Sequence, residues 1–424
     1  MLNINDDFYT KADFNQQQAS YSSYSLINEQ EAIAVCVEDN FIWLTLCYYL
    51  KSQRISAMPI HPSIPLDTAQ RMAEKAGCGL LIYGGIEQQI ELHNRVDNDQ
   101  LTRANAGIIQ MSSGTTGEPK CILRSWADID IEIASYRQAF TDANNMTPVI
   151  ACPVTHSYGL ICGVMVALAR GVEPRIVNSI NPKYLIKVLQ SCERPLLYSS
   201  PVMLQGLLRL WPKQEKLHAA MTSGSTMSNQ VFEQIAPRVE KLYQQYGCSE
   251  AGCISISQNL QSATDIGKPF PHVQLDCSHD EQSPSEIIAR VETSTGVKTV
   301  HTQDLGYIDA NNHLYFLARL DDTIIVSGLN VYPSEVEDII LTHPQVTDAV
   351  IFKIDDPIAG NRVCLHFVAE PAIEPSELRL WCSQQLAPFQ IPQILKAVDT
   401  IPRMANSKIN RKQIAKDHQA SLAK

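Results

Sequence analysis

Residues 112–120 read Ser112-Ser113-Gly114-Thr115-Thr116-Gly117-Glu118-Pro119-Lys120 and follow an apolar run directly. Hydroxyls and glycines packed this closely give a loop whose backbone N–H groups can approach a polyphosphate, with Lys120 adding a positive charge. A Walker A loop is excluded. That loop needs four residues between its first glycine and the Gly-Lys pair, then Ser or Thr. Here two residues separate Gly114 from Gly117, and Cys121 follows Lys120. The chemistry on offer is binding of a polyphosphate by a different kind of loop, with a flexible polar turn as the alternative.

The segments around this loop must position it. Continuous apolar runs alternate with amphipathic stretches, which predicts βαβ units and a mostly parallel sheet. Strands are expected over 32–37, 55–60, 79–83 and 107–111, with a helix through residue 50 capped by Asn40 and another over 67–75 that stops at Gly77. The first 30 or so residues are polar and suggest no element. The alternation continues with helices over 127–140, 158–170, 201–210 and 231–239, and strands over 148–152, 196–199 and 217–222, then one ending at Tyr246. Near residue 260 the strands become hairpins, one turning at 309–312. From Ser334 the pattern is α, β, β, α, β, with Ser334 and Glu337 spaced as a capping box. The expected architecture is α/β: a large N-terminal domain (1–320) with mostly parallel βαβ sheets and a β-rich subdomain, then a small α+β domain (321–424).

Composition narrows the partners. The 424 residues carry 34 Lys and Arg against 45 Asp and Glu, a formal charge of -11. An acidic chain without a basic run is a poor general nucleic-acid binder, so small molecules and proteins are the expected partners. The twelve cysteines show no zinc or disulfide spacing, so reduced thiols in a cytoplasmic protein are expected. The longest apolar stretches fall short of the ~18–20 residues that span a bilayer.

The 112–120 loop resembles the signature of the adenylate-forming superfamily, which includes acyl- and aryl-CoA synthetases, luciferase-like ligases and peptide-synthetase adenylation domains. Further segments follow in the family's order. Tyr246-Gly247-Cys248-Ser249-Glu250 resembles Tyr-Gly-x-Thr-Glu, Thr302-Gln303-Asp304-Leu305-Gly306 resembles Thr-Gly-Asp-x-Gly, and Ala318-Arg319-Leu320-Asp321-Asp322 resembles Gly-Arg-x-Asp-Asp. Pro402-Arg403-Met404 with Ser407-Lys408 and Arg411 resembles the motif that carries the family's catalytic lysine. The resemblance covers nearly the whole chain, with an N-terminus shorter than typical.

The resemblance implies ATP and Mg²⁺. It gives Glu250 and Thr116 to the metal, Tyr246 to adenine, and Asp304 and Arg319 to ribose and phosphate. The 112–117 loop with Lys120, Ser223-Gly224-Ser225, Gly247 and Ser249 would hold the remainder of the nucleotide. Lys408 becomes the catalytic lysine and Asp321 the hinge between domains. His156, within Pro153-x-x-His156-x-x-Gly159, stands where amino-acid-activating members typically have Asp, so the expected acid is fatty or aryl and lacks an α-ammonium group. The acceptor is a phosphopantetheine thiol, on an acyl carrier protein or on CoA. Ile325, where many CoA users have Lys, favours the carrier. Gln303, Ala318, Met404 and Ser407 depart from the family pattern. An amino-acid ligase and a non-catalytic nucleotide-binding relative remain open alternatives at this level.

Overall fold

The computed structural model describes residues 1–424 except 97, 113–119, 179–180, 327–328, 357–359, 405–408 and 423–424. Three sheets organise it. In the six-stranded sheet, Ala32–Val37, Ser56–Pro59 and Gly107–Ser112 run parallel, as the apolar runs predict. The thirteen-stranded sheet joins a parallel half to an antiparallel half at Val239–Cys248, which pairs parallel with Leu217–Thr222 and antiparallel with Gly252–Ser257. Its last strand in chain order ends at Arg319, and the five-stranded sheet begins at Ile324. The last sheet has its own core around Ile324, Val336, Ile351, Val363, Phe367 and Leu378, so the C-terminal segment folds around apolar contacts of its own. No helix among the described residues is long and apolar enough to cross a membrane.

Several local expectations give way to tertiary contacts. The first 30 residues are structured: Leu2–Ile4 pairs parallel with Arg175–Ile176, and Leu2, Phe14, Tyr21 and Ile27 are buried. Four apolar anchors spread over a polar stretch show no period, yet each fills a place in the large core. The helix Asn40–Ser52 is capped by Asp39, not Asn40, through the N–H groups of Phe41 and Ile42. Ser334 and Glu337 form no capping box. Pro333 starts the helix Pro333–Ile340, while Ser334 Oγ donates to the carbonyl of Leu317 and Glu337 accepts from Arg411. Lys120–Ser125 is a strand antiparallel to Gly107–Ser112, with Ser112 opposite Lys120. The phosphate-type loop thus falls between two paired strands. The helix expected over 158–170 opens as a π-helix, Tyr158–Met165, a widened turn often found at functional sites.

Candidate active site

A cavity of 2610 Å³ lies between the two large sheets and the C-terminal segment, and the candidate residues converge on it from separate elements. Lys120, His156, Ser223, Gly224, Ser225, Tyr246, Gly247, Ser249, Glu250, Asp304, Arg319 and Asp321 all line it. Residues 113–117 and Lys408 lie outside the described residues, as does the side chain of Ser112, but Met404 and Ile409 on either side of 405–408 line the same cavity.

One wall is set by packing far from it. The Trp43 indole N–H donates to the Val154 carbonyl at 2.9 Å, which pins the segment leading to His156. Gly159 must be glycine, since a Cβ there would meet the Pro153 carbonyl oxygen at 2.5 Å. Tyr158 donates its hydroxyl to the Met221 carbonyl at 2.7 Å, tying the π-helix to the strand that delivers Ser223–Ser225. Ser223 Oγ donates to the Gln245 carbonyl at 3.2 Å. Ser225 Oγ is buried without a partner among the described residues. An orphaned hydroxyl in a cavity costs about 1–3 kcal/mol, so this position fits a polar ligand such as a nucleotide.

The opposite wall carries a chain of charged contacts. Asp304 is 5% exposed. It accepts from the Tyr246 hydroxyl at 2.5 Å and from Arg319 Nη1 at 2.8 Å. Arg319 also reaches the Thr302 carbonyl at 3.1 Å and Asp321 at 3.4 Å, and Lys412 meets the other Asp321 oxygen at 3.1 Å. Burial pushes the Asp321 carboxyl upward, but Lys412 and Arg319 together hold it below its ordinary value. Burial, reinforced by the Asp304 charge, pushes the Tyr246 phenol well above its usual range, so it remains a donor. Gln303, in the family's glycine position, adopts φ 60°. Its backbone N–H and side-chain amide both donate to Glu286, at 3.0 and 2.8 Å. These bonds offset the left-handed strain of ~1–2 kcal/mol and hold a non-glycine residue in a backbone conformation that favours glycine.

Glu250 sits half-buried in the turn after Val239–Cys248, with its carbonyl accepting from Lys298 at 3.1 Å. Burial and the Glu250 charge push the neighbouring Cys248 thiol up to about 12, so it stays neutral. No cluster of three metal-type side chains occurs among the described residues. One carboxylate with a hydroxyl is a donor set suited to Mg²⁺, which keeps waters and phosphate oxygens in its shell. Sequence reasoning missed Glu132, Arg124, Gln245 and Lys412. Glu132 left one trace: it shares the buried helix face of Ile129, Ile133 and Tyr136.

With the geometry in place, the comparisons are specific. Residues 27–287 match the family described as AMP-binding enzyme, and residues 335–408 match its C-terminal domain. The chain belongs to the AMP-binding enzyme family. This AMP-binding enzyme is 35% identical over 422 residues to the 3,4-dihydroxybenzoate–[aryl-carrier protein] ligase of Bacillus anthracis, covering 97% of this chain and 98% of the relative. It is 26% identical over 344 residues to the 2-succinylbenzoate–CoA ligase of Bacillus licheniformis, covering 73% and 70%. Its fold is that of ATP-bound MatB from Rhodopseudomonas palustris, with a TM-score of 0.82 at 16% identity and coverage of 100% and 96%. The AMP-binding enzyme is an acid–thiol ligase: it uses ATP to activate a carboxylic acid as an acyl-adenylate and passes the acyl group to a thiol.

Proposed function

We propose that this ligase activates an aromatic carboxylic acid of the dihydroxybenzoate type and loads it onto the phosphopantetheine thiol of an aryl-carrier protein. The observation that carries this reading is the end-to-end similarity to an aryl-carrier ligase at 35% identity, where the CoA ligase matches a shorter span at 26%. Exposed Ile325, in place of a CoA-contacting lysine, supports a carrier acceptor.

A carboxylate is a poor electrophile because hydroxide does not leave. Its attack on the α-phosphate of ATP, with pyrophosphate leaving, gives AMP as the later leaving group. Two anions must be brought together, so positioning and charge neutralisation dominate the barrier. Lys408 is proposed to supply cationic charge at the carboxylate and α-phosphate, with His156 beside the carboxylate. Residues 112–117, Lys120, Ser223–Ser225, Gly247 and Ser249 would cradle the nucleotide, Tyr246 would face adenine, and Asp304 with Arg319 would hold ribose. Mg²⁺, on Glu250 and Thr116, would neutralise phosphate charge when bound. Asp321, the first residue of 321–424, is proposed as the hinge that lets the small domain move away and admit the thiol. A cytoplasmic setting belongs to this reading, supported by twelve cysteines that stand as free thiols.

Pyrophosphate exchange with a panel of aromatic, fatty and α-amino acids tests it. Exchange should be strongest with dihydroxylated benzoates and absent with α-amino acids. Exchange with fatty or amino acids alone would overturn the reading.

A further inference from the structure

Two carboxylates that are almost fully buried line the cavity among the described residues, Asp304 and Glu132, at 5% and 2% exposure. Asp304 belongs to the Tyr246–Arg319 side. Glu132 lies outside that chain of contacts. It projects from the helix Trp126–Ala139 toward the wall formed by Cys162 of the π-helix and Gly252-Cys253, all of which line the cavity. Among the described residues, Arg124 Nη2 and the Cys253 N–H are its two donors, the latter at 2.9 Å. A carboxylate has about four acceptor sites, so acceptor capacity remains after both bonds are made. Arg124 is equally under-satisfied: its Nη1 is buried without a partner among the described residues. The guanidinium lies directly behind Gly252, where a Cβ would come within 2.6 Å of it. The absence of a side chain at Gly252 makes room for the Arg124 guanidinium, and Glu132 is the member of the pair that lines the cavity.

We infer that Glu132 is the specificity residue that accepts a hydrogen bond from a phenolic hydroxyl of the bound acid, held in place by Arg124 as a positioning residue. The inference rests on the aromatic-acid reading above and adds the side chain that distinguishes hydroxylated from plain rings. A fatty chain or an unsubstituted ring ending against this wall offers no donor to the carboxylate. A ring hydroxyl does, and hydrogen bonds to charged acceptors are the stronger class. Sites that hydrogen-bond a substrate hydroxyl discriminate against the analogue lacking it far better than apolar pockets do.

Glu132→Asp keeps the charge opposite Arg124 and withdraws the carboxylate by one methylene. Glu132→Gln keeps the shape and removes the charge. Pyrophosphate exchange is measured for wild type and both variants with benzoate, 3-hydroxybenzoate, 4-hydroxybenzoate and 3,4-dihydroxybenzoate. The expected result is a loss of at least about tenfold in kcat/KM for one or more hydroxylated acids, carried mainly by KM, with benzoate exchange retained in Glu132→Asp. Benzoate serves as the folding control within each variant. Equal losses on all four acids would make Glu132 purely structural and overturn the inference, as would unchanged discrimination in both variants. If the wild type exchanged with none of the aromatic acids, the aromatic reading itself would fall and this inference with it.

Discussion

Arg319→Met removes the cation that links Asp304 to Asp321 while keeping a long side chain in place. Two unit charges about 4 Å apart attract by ~4 kcal/mol at a near-surface dielectric. The Arg319 side chain is 39% exposed, so screening, desolvation and lost rotamer freedom leave roughly 1–2 kcal/mol for the pair. With 1.4 kcal/mol equal to a factor of ten, that corresponds to about a five- to thirtyfold weaker interaction. The loss should fall on ATP, because Arg319 orients the Asp304 carboxylate and lines the cavity beside it. Pyrophosphate exchange at varied ATP and saturating acid gives the ATP KM, and the converse titration gives the acid KM. The expected outcome is a raised ATP KM within that range and an acid KM changed by less than about twofold. An unchanged or lowered ATP KM would refute the reasoning: it would mean that Asp304 binds ribose better once released from Arg319.

Lys408→Ala should abolish adenylate formation yet leave thioester formation from supplied acyl-adenylate largely intact, as followed by single-turnover assays of each half-reaction. Asp321→Pro fixes φ near −65° and also places a ring where the Arg319 and Lys412 contacts converge; pyrophosphate exchange should persist while thioester output falls. The His366–His418 pair, 3.0 Å apart in the C-terminal segment, makes stability depend on pH. Burial, with the His418 ring and Lys396 adding to it, lowers the His366 pKa to about 4. The folded state therefore binds fewer protons than the unfolded state between about pH 6.5 and 4, and stability falls as pH drops through that window. At about 1.4 kcal/mol per pH unit the window is worth roughly 3 kcal/mol, which solvent screening of the partly exposed ring reduces to about 1–2 kcal/mol, read by urea titration across pH, and His366→Phe should flatten the slope.

The parts of the fold readable in advance were those governed by local pattern. Ala32–Val37, Pro201–Leu210 and Leu217–Thr222 have the predicted bounds because continuous apolar runs and a Ser-Pro helix start need no distant partner. The N-terminal strand Leu2–Ile4 was unreadable, since three residues become a strand only by pairing with Arg175–Ile176. Lys120–Ser125 was hidden for a related reason. Its side chains are mixed in character, and its strand identity comes from the partner strand across the loop. At the site, Asp304, Arg319 and Glu250 were marked by motif, whereas Lys412 is an ordinary tail lysine until the fold sets it against Asp321. Glu132 looks like one more acid in an Asp-Ile-Asp-Ile-Glu-Ile alternation. Its meaning depends on Arg124 and on the bare backbone of Gly252, a relation that no local pattern encodes.

One cleft is proposed to form an aromatic acyl-adenylate and hand it to a carrier-bound thiol. The most direct measurement is intact-mass analysis of a phosphopantetheinylated aryl-carrier protein after incubation with the enzyme, ATP, Mg²⁺ and 3,4-dihydroxybenzoate, run beside an equal concentration of free CoA. The expected result is acylation of the carrier through its thiol, ATP-dependent and much faster than formation of the CoA thioester. Efficient formation of the CoA thioester with no acylated carrier would contradict the proposed acceptor, and failure to acylate either thiol would contradict the claim itself.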